Sequence, residues 1–310
     1  LALINGTHLM AAEGALLCMG FERLFGAAMG ACAMSIDACR ATDAFLDRRV
    51  FECRAQPGPA LVAGRLRDLL SGSEIVPSHA EGDARVQDPY SLRCAPVVLG
   101  AAWDAYEGMR AAIERELGAI TDNPLVFENG DVVSGGNFHG MPVAIPLDTL
   151  CIAIAHVAGI SERRTFLMLA AQDPEAQLRP YLARSPGVQS GLMITQYTAA
   201  ACCNEIIGLC TPASVANIGT SAGMEDYNSF GPRAAAKARR ALELARSVVA
   251  IELLCAAEGV ECHRPLRSGA GVESLMARIR AMVPPLERDR PPAPDIRTIA
   301  GMIESGHLGA

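Results

Sequence analysis

The chain has 310 residues, a formal net charge of −7 and 50% apolar residues, of which few are aromatic. The acidic balance argues against a general nucleic-acid-binding surface, which needs a basic patch. No uncharged apolar run reaches the roughly 20 residues that a membrane-spanning helix requires. We therefore expect neither nucleic acid nor a membrane among the partners.

Cysteine is frequent but unpatterned. There are 11 cysteines, an odd number, and none of them forms a Cys-x-x-Cys pair. They are scattered through apolar segments, which is typical of reduced thiols in a cytoplasmic protein and not of a disulfide framework or a metal site. We therefore expect a cytoplasmic location and no metal.

The first part of the chain predicts helices. From Leu9 to about Cys39, large apolar residues recur at steps of three and four, which predicts a long buried helix. Pro57-Gly58-Pro59 is expected to break the next helix, which resumes from Ala60 to Leu70. A polar, glycine-rich loop leads to Asp88, and a further helix is predicted from Val97 to Leu117.

The second part adds one irregular stretch, Thr121 to Met141, with strand-like pieces at 125–127 and 131–133. The segment from Gly191 to Cys210 is so apolar that it is predicted to be buried on all sides, and Gly259 is predicted to end a long helix in a left-handed cap. The remaining helices are expected at 147–171, 231–258, 272–282 and 295–304.

The pattern predicts an all-α fold, because long helices that are apolar on most faces need partners on most faces. We expect a single helical portion over 1–310, with a central bundle and its active-site loops at 1–263 and C-terminal helices at 264–310. The chain begins inside an apolar helical pattern and not with methionine. We therefore expect it to be the C-terminal portion of a longer protein.

The segment Gln87-Asp88-Pro89-Tyr90-Ser91-Leu92-Arg93 is the first candidate for chemistry. Gln87, Tyr90 and Arg93 are three positions apart, so on a helix they share one face. A guanidinium can bind a carboxylate through two parallel hydrogen bonds, and a phenol can donate, accept or move a proton. On spacing alone, a capped helix start with a surface salt bridge remains the alternative interpretation.

Six other short motifs accompany this segment. They are Leu1-Ala2-Leu3-Ile4-Asn5-Gly6-Thr7, Thr121-Asp122-Asn123-Pro124-Leu125, Ser134-Gly135-Gly136-Asn137-Phe138-His139-Gly140, Ser161-Glu162-Arg163-Arg164, Ser190-Gly191-Leu192-Met193 and Gly223-Met224-Glu225-Asp226. In this order and at these spacings they make the chain resemble the aromatic amino acid ammonia-lyases, and among these the histidine ammonia-lyases. The resemblance runs from Leu1 to about His263.

The resemblance implies a long-helix bundle of the ammonia-lyase and fumarase-like type, with one short strand-like insertion, assembled as a homotetramer with active sites shared between subunits. It also implies an electrophile, the methylidene-imidazolone (MIO) that forms from an Ala-Ser-Gly tripeptide. That tripeptide does not occur in these 310 residues. The resemblance therefore places it ahead of Asn5, outside this segment, and implies that the chain alone is inactive.

By resemblance, Arg93 and Asn5 bind the substrate carboxylate, and Tyr90 handles the amine or a proton. Gln87 hydrogen-bonds near the electrophile, and Phe138 lies against the electrophile and the substrate ring. Structural alternatives stand beside three of these roles, namely a helix N-cap for Asn5, turn packing for Gln87 and a core position for Phe138.

Glu225 is the candidate for substrate choice, since the resemblance places it against the substrate side chain. A glutamate can accept a hydrogen bond from an imidazole, whereas a phenyl ring leaves the carboxylate poorly solvated. Met224 and Tyr227-Asn228 depart from the residues expected of histidine enzymes, and Glu225 can also act as a helix N-terminal charge. His139 is interpreted as structural, and His8 and His156 as helix-packing residues.

The resemblance therefore implies the non-oxidative deamination of L-histidine, a small amino acid, to urocanate and ammonia. One alternative is a relative with the same electrophile acting on phenylalanine or tyrosine, as an ammonia-lyase or a 2,3-aminomutase. Another is a non-catalytic helical scaffold subunit. The fumarase-type lyases are set aside, because their Gly-Ser-Ser-x-Met-Pro loop is absent from these residues.

Overall fold

The computed structural model describes residues 2–309, so Leu1, the first residue of the amino-terminal motif, lies outside it together with Ala310. Ten α-helices form most of the described chain. They are α1 (His8–Ala38), α2 (Arg48–Glu52), α3 (Pro57–Leu70), α4 (Tyr90–Arg93), α5 (Ala95–Leu117), α6 (Met141–Ala170), α7 (Met193–Leu209), α8 (Gly231–Glu261), α9 (Ala270–Met282) and α10 (Ala293–Glu304). The predicted all-α class is confirmed.

The strand-like insertion is also confirmed. β1 (Leu125–Val126) pairs antiparallel with β2 (Val132–Val133), and Leu125 lies opposite Val133. This hairpin is the only sheet within residues 2–309, and it projects from the loop that joins α5 to α6.

Three long helices run parallel through the core. Gly140 and Gly231, at the starts of α6 and α8, both pack against Met10 in the first turn of α1. About 25 residues later along α1, Ser35 donates a hydrogen bond to Glu252 of α8, which also pairs with Arg164 of α6. The three N-termini therefore share one end of the bundle, which we call the amino end, and the opposite end is the carboxyl end.

α5 lies antiparallel to α1, and aromatic rings fill the contact between them. The ring centroids of Phe21 and Tyr106 are 4.8 Å apart, and those of Phe25 and Trp103 are 4.9 Å apart. Rings in this range attract one another beyond their area of burial. This contact keeps the start of α5, and the short α4 before it, at the carboxyl end.

Two local predictions are wrong. Pro57-Gly58-Pro59 does not break a helix but begins α3, because the first-turn N–H groups that proline lacks have no helical partner in any case. Gly259 does not cap α8, which continues to Glu261. A Cβ at Gly259 would lie 2.8 Å from the Cβ of Ala38, so this glycine permits a close helix crossing instead.

α7 is not buried on all sides, contrary to the prediction. Ile194, Tyr197 and Ile207 are 54%, 64% and 67% exposed. Large apolar side chains are exposed on the neighbouring α6 as well, at Ile145, Ile152 and Phe166. His8 and His156, predicted to pack between helices, are also exposed in the described chain.

α1 and α6 are each long and apolar enough to cross a membrane when judged by length and composition alone. Within the fold, 61% and 56% of their most apolar windows are buried against other helices. A core helix of a folded bundle meets the same criterion, so the finding describes the interior of this bundle.

Candidate active site

The segment from Gln87 to Arg93 forms one compact cluster at the carboxyl end. Pro89 holds extended backbone and Tyr90 begins α4, so the chain turns directly before the helix. The Nη2 atom of Arg93 donates to the Oε1 atom of Gln87 at 2.8 Å, and its guanidinium carbon lies 4.6 Å from the centre of the Tyr90 ring. The three side chains therefore lie together, although Gln87 precedes α4 and does not share a helix face with Tyr90 and Arg93.

The cluster offers a guanidinium and a phenol to an incoming ligand. Tyr90 is 69% exposed, and the Nε atom of Arg93 donates to the backbone oxygen of Asp88 at 2.9 Å. Within residues 2–309 the Nη1 atom of Arg93 donates to no acceptor. A guanidinium that two hydrogen bonds hold in place, with its third nitrogen free, is suited to bind a carboxylate.

Polar side chains hold this cluster from behind. The Oδ2 atom of Asp88 accepts hydrogen bonds from the backbone nitrogen and hydroxyl of Thr42, at 3.0 and 2.7 Å. Arg85 lies 3.6 Å from the other carboxylate oxygen of Asp88 and also binds Asp83. The hydrogen bonds from Arg85 hold the pKa of the Asp83 carboxyl well below its usual range. The segment is therefore fixed to the loop that follows α1.

A cavity of about 230 Å³ lies beside the cluster, and Gln87 and Arg93 form part of its wall. Small-molecule sites are commonly larger than this. A cavity of about 700 Å³ adjoins it and shares Thr42, Asp83 and Arg85 with it, although none of the predicted site residues lines the larger space.

Asn5, Phe138 and Glu225 lie at the amino end instead. Asn5 is exposed in the turn before α1, and Phe138, 43% exposed, lies three residues before the start of α6. His139 bonds the backbone oxygen of Tyr227 at 2.9 Å, which joins the loop of Phe138 to the loop of Glu225. This contact agrees with the structural role expected of His139.

Glu225 is held within its own loop. Its Oε2 atom accepts from the hydroxyl of Thr220 at 2.8 Å, and its backbone pairs with Thr220 in an antiparallel bridge. The side chain is exposed. A carboxylate anchored by one oxygen in this way presents the other oxygen to solvent or to a ligand.

The candidate residues therefore form two groups, which a single chain does not bring together. Met10 lies at the amino end of the bundle and Ser35 near its carboxyl end. These two residues of α1 are 25 positions apart, which is about 37 Å at 1.5 Å per residue. The resemblance implies active sites shared between subunits, which stays a prediction, and within one chain Asn5 and Glu225 do not meet Tyr90 and Arg93. The long parallel helices are the physical reason, since the motifs precede some of them and follow others.

Sequence reasoning missed the residues that support the cluster. Asp88 was visible inside the motif but carried no assigned role, and Arg164 appeared only as one letter of Ser161-Glu162-Arg163-Arg164. No three histidine, cysteine, aspartate or glutamate side chains within residues 2–309 form a group that could hold a metal ion.

The sequence model of the aromatic amino acid lyase family matches residues 1–281. The chain is 45% identical over 311 residues to histidine ammonia-lyase from Anaeromyxobacter sp. (strain K), covering 99% of this chain and 61% of the relative. It is 44% identical over 309 residues to histidine ammonia-lyase from Deinococcus radiodurans, covering 99% and 58%. The chain thus spans about 60% of the length of the curated relatives it matches.

Solved structures show the same architecture. Histidine ammonia-lyase from Trypanosoma cruzi superposes with a TM-score of 0.90 at 38% identity, over 99% of this chain and 57% of that one. Tyrosine aminomutase from Streptomyces globisporus superposes with a TM-score of 0.92 at 28% identity, over 99% and 62%. Phenylalanine aminomutase from Pantoea agglomerans gives 0.91 at 28% identity, over 97% and 62%.

The parallel core helices and the two groups of polar residues at their ends thus define a long-helix bundle of the ammonia-lyase type. The family match and the sequence identities make the assignment more specific. The chain belongs to the aromatic amino acid lyase family.

Proposed function

We propose that the protein carrying this chain removes ammonia from L-histidine without oxidation and releases urocanate. The cluster of Gln87, Tyr90 and Arg93 carries this proposal, because it occurs in a chain 45% identical to a histidine ammonia-lyase over 99% of its length. The reaction poses two problems, since the amine leaves poorly and the β-proton is weakly acidic. It needs an electrophile for the amine and a base for the proton.

Each group of residues has a distinct task in this proposal. Arg93 binds the substrate carboxylate through its free nitrogen, and Asn5 adds an amide to the same carboxylate. The Tyr90 hydroxyl moves a proton at the amine or the β-carbon. Glu225 accepts a hydrogen bond from the imidazole, with its second oxygen held by Thr220.

The electrophile in this proposal is the MIO ring, which comes from an Ala-Ser-Gly tripeptide that these residues do not contain. The side chains present fit such a ring by their chemistry, since Asn5 and Gln87 are exposed amides and Phe138 is an exposed flat ring. When bound, the ring supplies the electron-poor carbon that receives the amine. Asn5 and Gln87 would hold it by hydrogen bonds, with Phe138 against its face.

The proposal includes a homotetramer in which two copies complete each site. Exposed apolar side chains extend along α6 from Ile145 at the amino end to Phe166, which shares a cavity wall with Pro89 and Leu92 of the candidate cluster. Phe166 also lines a second cavity with Tyr197 of α7. A run of exposed apolar side chains along one helix supports an interface between copies at this surface.

Symmetry then brings the two groups together. A two-fold axis perpendicular to the helices packs two copies antiparallel along this surface, so the amino end of one copy meets the carboxyl end of the other. Arg93 and Tyr90 of one copy would then face Asn5, Phe138 and Glu225 of another. The proposal also includes a cytoplasmic location. The cysteines of the described chain are all free thiols, which supports a reducing compartment.

An assay on the intact protein that carries this chain tests the function. We expect urocanate absorbance and stoichiometric ammonia on addition of L-histidine, with little turnover of L-phenylalanine or L-tyrosine. Turnover of phenylalanine or tyrosine alone would contradict the role of Glu225. The absence of turnover with all three, in protein that binds none of them, would favour a scaffold subunit.

The aminomutases are the second candidate, because two of them share this fold with TM-scores of 0.91 and 0.92. The same substrate panel separates the two reactions. A lyase releases ammonia and an unsaturated acid, whereas an aminomutase releases a β-amino acid and keeps the nitrogen. Chromatography of the products therefore decides between them.

A further inference from the structure

A buried ion pair lies directly behind the candidate cluster. The side chains of Arg164 on α6 and Glu252 on α8 are both 0% exposed, and the Nη2 atom of Arg164 donates to the Oε2 atom of Glu252 at 2.9 Å. The other carboxylate oxygen of Glu252 accepts from Arg164 and also from the hydroxyl of Ser35 on α1, the latter at 2.7 Å. Three helices thus meet at one charged group inside the core.

Stability alone does not account for such a pair. Removing two charges from water is costly, and replacing a buried pair with apolar residues of similar volume is often neutral or stabilising. The pair lies within the core, and most of the buried residues on α1, α6 and α8 are apolar. A role in fixing the position of something else is the natural alternative.

Arg164 makes a third contact, and it leads to the cluster. Its Nη1 atom donates to the backbone oxygen of Ser91 at 3.2 Å, and Ser91 lies directly after Tyr90 in α4. A helix of four residues leaves most of its carbonyl groups without helical partners, so contacts from outside fix its orientation. The planar guanidinium can bind Glu252 and Ser91 at once, because its donors point along fixed directions.

We propose that Arg164, held by Glu252, is a positioning residue that sets the orientation of α4 and thereby of the Tyr90 hydroxyl. The inference rests on the function proposed above and extends it to residues that never touch the substrate. Thr42 and Asp88 form the second anchor of the same segment, on the side of α1. Without Arg164 the segment stays tethered by Asp88 and by the buried Leu92, while the backbone at Ser91 loses its hydrogen bond to α6.

The first test needs no activity. Hydrogen exchange followed by mass spectrometry is compared between the intact wild-type protein and the Arg164→Lys variant, which keeps the charge but cannot bind Glu252 and Ser91 together. We expect several-fold faster exchange in peptides covering 87–94. Exchange in α1 and α8 should stay unchanged. Unchanged exchange at 87–94 would overturn the proposal, whatever reaction the protein performs.

The second test is a double-mutant cycle on turnover. We expect Arg164→Lys to lower kcat by about 10- to 100-fold with a smaller change in KM, since small misplacements of a reacting group are costly. In a Tyr90→Phe background the same substitution should cost only about twofold, because the group it positions is gone. Full, additive losses in both backgrounds would show that Arg164 acts on overall structure and would overturn the proposal.

Two further variants keep the tests decisive. Arg240→Lys is the matched control, because Arg240 makes a two-pronged pair with Glu205 at 2.7 and 3.1 Å that is exposed. It should leave exchange at 87–94 and kcat unchanged.

If Arg164→Lys does not fold, the double variant Arg164→Met with Glu252→Met removes both charges and the Ser91 contact together. It is expected to fold with fast exchange at 87–94, and protection equal to wild type would again overturn the proposal.

Discussion

Arg93 is oriented by its own segment before any ligand arrives. Its bonds to the side chain of Gln87 and the backbone of Asp88 fix two of its nitrogens and leave the third free. Such preorganisation lowers the entropy lost on binding. The residue scale is therefore where the sequence motif and the structure agree best.

Removing this guanidinium should weaken substrate binding more than it slows the chemistry. For Arg93→Ala we expect KM for histidine to rise about 10- to 150-fold, because a charged hydrogen-bonded contact contributes about 1.5–3 kcal/mol. Steady-state assays of urocanate formation measure this. Arg48→Ala, which removes an exposed arginine paired with Glu52, is the control and should leave KM unchanged. A normal KM in Arg93→Ala would exclude Arg93 from the site.

Glu225 carries the predicted choice of substrate. In Glu225→Gln the side chain keeps its shape but loses the charge, so kcat/KM for histidine should fall about tenfold and the preference should move towards phenylalanine. Competition assays with both amino acids measure the ratio. The neighbouring Asp226→Asn is the control, and an equal shift in that variant would point to general loop charge instead of Glu225.

At the scale of elements, α3 and α5 cross so closely that glycine is required. A Cβ at Gly100 would lie 2.1 Å from the backbone nitrogen of Pro59, and backbone cannot move aside as a side chain can. Gly100→Ala should therefore lower the free energy of unfolding by about 1–3 kcal/mol or more. Urea titration measures the change.

The same helix offers the control. Gly108 of α5 is exposed, and a Cβ there would meet nothing within 4 Å. Gly108→Ala should stabilise the protein by about 0.5–1 kcal/mol through helix propensity. Destabilisation in both variants would show that the close crossing is not the cause.

Asp37 couples α1 to the loop that follows α3 and makes stability depend on pH. It is fully buried and accepts from the hydroxyl of Ser73 at 2.8 Å, and burial raises the pKa of its carboxyl from 3.8 to about 6. The folded protein therefore holds this proton where the unfolded chain has released it. The contribution is fully present below about pH 4 and is lost as pH rises through about 6.

Asp37→Asn removes this titration. The stability of wild type relative to the variant should fall by about 3 kcal/mol between pH 4 and pH 7, which is about two pKa units. Urea titrations across this range measure the difference. A course parallel to wild type in Asp37→Asn would mean that burial does not raise the pKa of Asp37.

At the scale of the whole molecule, the two groups of site residues lie about 37 Å apart along α1. If two copies complete each site, two defective variants should rescue each other when histidine is held well below the KM of either variant. We expect Arg93→Ala and Glu225→Ala, unfolded and refolded together in equal amounts, to recover about a quarter of wild-type activity, because a quarter of random pairings join two intact ends. Turnover with histidine measures the recovery.

A mixture with both defects at one end is the control. Arg93→Ala with Tyr90→Phe places both changes at the carboxyl end, so no pairing restores a site and activity should stay at the level of the single variants. Recovery in both mixtures, or in neither, would contradict sites shared between copies.

The helices and the local cluster follow from the sequence. Apolar residues at steps of three and four repeat within the chain itself, so α1 could be placed to within a residue at each end. Gln87, Tyr90 and Arg93 are so close in sequence that only one turn of backbone decides their contact. Local order of this kind depends on few residues, all of them close together in the sequence.

Tertiary structure decided the rest, because its contacts join residues far apart in sequence. Composition could not show that α7 leaves Ile194 and Tyr197 exposed, since exposure depends on which helices surround it. The sequence predicts a helix cap at Gly259, whereas in the structure this glycine allows α8 to pack closely against Ala38 of α1. Arg164 and Glu252 are 88 positions apart, and only the packing of α6 on α8 pairs them. The same packing separates the site residues between the two ends of the bundle, which sequence order alone did not show.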